Sequence, residues 1–167
     1  MAFKFNKSEK EKIKIELEKD TFSPGENIRG RIILKLDKPL QAKGLILTFV
    51  GQKYRKGLAS YFLGRWRIYH IKSLGWGFYN FFKEELQIDT EKEYYGMIYP
   101  FEYKIPQNIL LEAENWKDKI PTAKIIDEIV SEEVYKETEW SNRWYLEARL
   151  KISHGKDIKN KIEIKIT

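Results

Sequence analysis

The sequence predicts an all-β protein, an antiparallel β-sandwich carrying one inserted amphipathic helix. Three observations predict it: apolar and polar residues alternate with period two in several stretches, turn residues punctuate those stretches, and one late segment alone has helical spacing. With 167 residues, 42% of them apolar, the chain can bury one core, so residues 1–167 are expected to form a single domain.

Ile13, Ile15 and Leu17 alternate with Lys14, Glu16 and Glu18, the pattern of a strand with one buried face. Ser23-Pro24-Gly25-Glu26 follows, with Pro fixing φ at the first central turn position and Gly accepting the positive φ of a type II turn at the second. Ile28, Gly30, Ile32, Leu34 and Leu36 then alternate with polar residues, predicting a second strand paired with the first as a hairpin; Ile33 on the polar side is its one anomaly. Gly44 to Val50 is apolar on both faces, as a strand covered on both sides would be. Phe101, Tyr103 and Ile105 alternate between Pro100 and Pro106, the signature of an edge-limited strand. Leu146 to Ile152, a turn from Ser153 to Lys156, and Ile158 to Ile166 predict a C-terminal hairpin. The helix is expected over Pro121 to Glu137, where Ile125, Ile126, Ile129, Val130 and Val134 share one face.

The absence of Cys excludes a disulfide framework and any thiolate chemistry. Met1 to Lys14 carries no apolar h-region, and no apolar run approaches the ~18 residues of a spanning helix. The expected location is the cytoplasm. Abundant Lys, Glu and Ile match a thermophile's composition. The formal charge of +6 is unevenly spread: Lys38 to Lys83 holds nine basic residues and no acidic one, whereas Glu84 to Glu139 holds fifteen acidic against six basic.

Phe22-Ser-Pro24-Gly25-Glu26-Asn-Ile28-Arg-Gly30-Arg-Ile32 resembles the opening signature of arrestin N-terminal-like domains. Leu45-Ile-Leu47-Thr-Phe49-Val-Gly51 is similar to the family's next strand, and Gly96-Met-Ile-Tyr-Pro100-Phe101-Glu-Tyr-Lys-Ile105-Pro106 to its later Gly…Pro-Phe…Pro element. Tyr145 to Leu150 and the Ile-rich end follow in the same order. The resemblance implies an immunoglobulin-like sandwich of arrestin type used for protein recognition, as in arrestins, arrestin-related trafficking adaptors, the retromer cargo-recognition subunit and bacterial sporulation-control proteins. It gives Pro24, Gly25, Glu26, Gly30, Gly51, Pro100, Phe101 and Pro106 structural roles. The family usually carries two sandwiches and this chain has room for one, so the phosphate-sensing residues between them have no counterpart, and Lys10, Lys12 and Lys14 receive no phosphate role.

Gly57 to Phe82 interleaves aromatic rings with cations. Tyr61, Phe62, Arg65, Trp66, Arg67, Tyr69, Trp76 and Phe78 are the candidate contact residues. They suit a protein partner or a peripheral membrane contact; nucleic acid is the least favoured partner, because no nucleic-acid motif accompanies them. The bland alternative is that the rings fill the core while the cations stay at the surface. His70 and His154 lie apart without ligand spacing, Ser153 beside His154 points to the opposite strand face, and Gly75-Trp-Gly77 lacks the third Gly of a dinucleotide loop. Glu84-Glu85 and Glu132-Glu133 read as solvated carboxylates. No catalytic, metal or cofactor residue is therefore assigned, and the expected function is a non-catalytic protein-interaction module of adaptor or scaffold type. A membrane-binding protein and a carbohydrate-binding sandwich are the alternatives, and a homodimer is a further expectation.

Overall fold

Alternation places Ile13 and Ile15 inside and Lys14 outside in β1 (Ile13–Leu17), the first strand of the computed structural model, which describes residues 12–55, 78–119 and 140–167. β1 pairs antiparallel with β3 (Asn27–Leu34), Ile15 opposite Ile32. The turn between them is as predicted: Gly25 has φ +78°, and the Glu26 amide donates to the Ser23 carbonyl over 3.1 Å. Glu26 also accepts from the Ser23 amide at 2.9 Å, which locks the corner. The hairpin has an unpredicted detour, however. After Leu17 the chain crosses to the other sheet as β2 (Thr21–Phe22), parallel to the C-terminal strand β9 (Ile158–Ile166), and only then turns.

β7 (Ile98–Lys104) completes a three-stranded sheet of order β1-β3-β7. Leu34 and Met97 exchange both backbone hydrogen bonds, and the Ile105 amide donates to the Glu26 carbonyl. By alternation the backbone groups of residue 100 face the free edge. Proline there forfeits no ladder bond and blocks a further strand.

The second sheet is built on β4 (Leu40–Arg55), flanked by β5 (Phe78–Asp89) and β8 (Trp140–Ile152). Its order is β2-β9-β8-β4-β5, with β6 (Lys92–Tyr94) beside the start of β4. As predicted, β4 is buried on both faces from Leu47 to Gln52. Phe49 anchors the core between the sheets, its ring centroid 5.0 Å from Tyr103 of the opposite sheet and 5.8 Å from Trp144. Two short helices, α1 (Ile109–Glu114) and α2 (Trp116–Lys119), follow β7 and bury Ile109, Ala113 and Trp116. The helix expected over Pro121 to Glu137 lies outside the described residues.

Asn160 interrupts the Ile alternation of β9 and ties the two sheets. Its Nδ2 donates to the Ile13 carbonyl at 3.0 Å, and its Oδ1 accepts from the Lys161 amide at 2.9 Å. Asn160→Ala is expected to cost about 2 kcal/mol, because a half-buried carbonyl and an amide lose their partners. A shift of the urea midpoint at unchanged slope checks it.

Burial pushes the Tyr94 phenol up from 10.0 to about 12, with Asp89 adding to the effect. Burial raises Tyr103 as well, followed by its bond to Glu84. Both phenols stay protonated in the folded state while the unfolded chain ionises from pH 10.0 upward. Stability is thus fully present below that value and is lost as pH rises, the Tyr94 share disappearing between 10.0 and about 12. Tyr94→Phe is expected to flatten this alkaline decline, as read by unfolding at stepped pH.

Candidate functional site

Register brings three consecutive residues from each strand region of the smaller sheet around one open trough of about 710 Å³: 16–18 at the end of β1, 29–31 of β3 and 100–102 of β7. Leu17, Gly30 and Phe101 stand opposite one another and form the floor. On one side Glu16 pairs across to Arg31, and on the other Arg29 pairs across to Glu102. These charged side chains point outward because their neighbours Ile15, Leu17, Ile28, Ile32 and Phe101 take the inward positions.

The walls are held by charge-assisted bonds. Arg31 Nη2 lies 2.6 Å from Glu16 Oε2, and Lys14 Nζ lies 2.8 Å from Glu16 Oε1. Arg29 Nε lies 2.9 Å from Glu102 Oε1, which also accepts from Asn27 Nδ2 at 3.0 Å. The hydrogen bonds from Lys14 and Arg31 hold the Glu16 carboxyl below its ordinary range, and Glu102 raises Arg29 further, so Glu16 and Arg29 stay ionised at neutral pH. All are exposed side chains whose pairs add little to stability. Their arrangement is a pattern of fixed charge over a rigid floor.

The floor explains one motif residue. A Cβ on Gly30 would stand 2.8 Å from Leu17 Cδ2 and 2.9 Å from Phe101 Cζ, so those two side chains fill the space beneath a bare backbone. Gly30, Pro100 and Phe101, assigned above only structural roles, thus converge on the trough. Pro24, Gly25 and Glu26 form the β2–β3 corner, Gly51 lies under Trp144 and Phe81, and Pro106 ends β7.

No family model matches this sequence, and no curated protein matches it by sequence search. Among solved structures, it resembles the sporulation control protein Spo0M from Bacillus subtilis, with a TM-score of 0.52 at 13% identity. The fold is an arrestin-like β-sandwich. The match covers 93% of this chain but only 48% of Spo0M, so the chain spans about half of that protein's length.

This fold match agrees with the resemblance read from the sequence. Tyr61, Phe62, Arg65, Trp66, Arg67, Tyr69 and Trp76 lie outside the described residues, and Phe78 opens β5 with its side chain likewise outside them. Further along the same aromatic stretch, Tyr79 and Phe81 are buried, Phe82 is half-buried, and all three rings fill the core. Glu84 and Glu85 point to opposite faces: Glu84 accepts the Tyr103 hydroxyl at 2.6 Å, and Glu85 pairs with Lys83 at 3.2 Å. His154 is exposed in the β8–β9 turn. Among the described residues, no group of three or more His, Cys, Asp or Glu side chains could hold a metal ion, and no helix is long and apolar enough to cross a membrane. Arg29, Arg31, Glu16 and Glu102 were missed because each alone reads as a solvated strand face. Their signal is that alternate outward positions of β3 are both arginine, while those of β1 and β7 beside them carry Glu16 and Glu102.

Proposed function

We propose that the chain is a non-catalytic interaction module of adaptor or scaffold type that binds a protein partner across the trough of the three-stranded sheet. The observation carrying this reading is the trough itself, where two arginines and two paired glutamates stand on a backbone floor at Gly30, packed from beneath by Leu17 and Phe101. Fixed charges of both signs select a partner with the inverse pattern and disfavour others, which is how such walls confer specificity and association rate. The likeness to Spo0M, a sporulation control protein, is compatible with a regulatory setting. Reversing one wall charge tests the reading. Arg31→Glu is expected to weaken partner capture at least about tenfold while shifting stability by less than about 1 kcal/mol. Capture from the source organism by wild type and variant, followed by titration of the captured protein, reads both. Undiminished affinity in Arg31→Glu and in Glu102→Lys contradicts the assignment.

A further inference from the structure

The opposite face of the sandwich carries its own charge pattern. Arg143, Arg149, Lys151, Lys159, Lys161 and Lys165 occupy outward positions on β8 and β9, against Glu147 and Glu163. Both carboxylates are already engaged, Glu147 by Arg149 at 2.8 Å and Glu163 by Arg143 at 3.9 Å. Lys151, Lys159 and Lys165 are exposed and form no ion pair among the described residues. Arg149, paired with Glu147, stands directly opposite Lys159 in the ladder, so the local surplus of positive charge rests on Lys159.

The shape of the array selects the ligand. Lys159 and Lys165 are six residues apart on one strand, roughly 20 Å, too far for a single small anion to span. An extended acidic peptide would seek the β9 edge. That edge is occupied by β2, through the Lys165 amide bonded to the Asp20 carbonyl, and by the Asn160 bridge to Ile13. Stacking on nucleobases needs open ring faces. Here Lys161 stands over Tyr145 at 5.1 Å, and the Arg143 guanidinium over Tyr54 at 4.6 Å. The exposed lysines of β9 and the end of β8 form a strip of surplus positive charge that is complementary to an extended anionic plane. We propose that the outer face of β8 and β9 docks on an anionic lipid bilayer. This goes beyond the partner reading above, since it uses the other sheet and leaves the trough turned away from the membrane.

The test is co-sedimentation of the full chain with phosphatidylcholine vesicles and with vesicles containing phosphatidylserine. Binding is expected to the second only, and to fall steeply as salt rises. Lys159→Gln with Lys161→Gln is expected to lower that affinity roughly twentyfold, and Lys151→Gln with Lys165→Gln to act in the same direction. The equal charge loss of Lys35→Gln with Lys104→Gln, on the three-stranded sheet, is expected to change it by less than about twofold. The proposal is overturned by no association with phosphatidylserine vesicles at low salt, by equal binding to neutral vesicles, or by an equal loss from all three pairs. It is overturned as well if duplex DNA or polyglutamate binds where vesicles do not. Partner capture is expected to survive Lys159→Gln with Lys161→Gln, so this proposal and the trough assignment fail independently.

Discussion

Gly51→Val is expected to destabilise the protein by about 3 kcal/mol, at the upper end of core overpacking. A Cβ at this position would stand 2.6 Å from Trp144 Cζ3 and 2.7 Å from Phe81 Cζ. Neither neighbour is the flexible end of a long side chain. Trp144 is fixed edge-on against Phe81 and stacked on Phe49, so relief requires movement of the cluster or of the strand. Gly51 also sits at a register shift between β4 and β5, where the strand already bends. Gly51→Ala combined with Trp144→Leu is expected to cost less than the sum of the two single changes, because the shorter side chain vacates the space that the new methyl needs. Denaturant titration of the four proteins measures the coupling. Strict additivity would mean that glycine is required there for another reason.

Phe49→Ala is expected to cost about 3–5 kcal/mol. It is 1% exposed, and among the described residues its ring meets Phe82, Trp144 and, across the sandwich, Tyr103. Removing it empties the volume between the sheets and takes away the apolar cover that raises the Tyr103 phenol. Two readouts should therefore move together: the unfolding midpoint falls, and the Tyr103 phenol titrates closer to its ordinary value in spectrophotometric titration. Loss of stability with no change in phenol titration would place the Tyr103 effect on its bond to Glu84 rather than on burial.

Strands that bury one face against the core were legible because burial imposes period two directly on the residue types. That condition holds for β1, β3, β7 and the β8–β9 hairpin, and the double burial of β4 wrote an unbroken apolar run. β5 was not legible as a strand. It is an edge strand in the described sheet, and Glu84, exposed yet bonded to the Tyr103 hydroxyl, stands where alternation calls for an apolar residue. α1 spans six residues, too few to display a helical period, although Ile109, Ala113 and Trp116 keep the i, i+4, i+7 spacing over α1 and into α2. The crossing of β2 to the second sheet is a non-local choice, set by pairing with β9 far away in sequence, and no local signal at Glu18 to Asp20 announces it. The trough is non-local for the same reason. Its walls meet only through the registers of three strands from distant parts of the chain, and the sequence drew attention to Gly30, Pro100 and Phe101 without revealing what stood around them.

The central claim is that the three-stranded sheet is the partner-binding face. Hydrogen–deuterium exchange on the chain alone and in complex with its captured partner tests that most directly. Slowed exchange at residues 16–18, 29–31 and 101–102, with no comparable change along β8 and β9, is the result expected. Protection confined to other elements, with the trough exchanging at the same rate in both states, would contradict it.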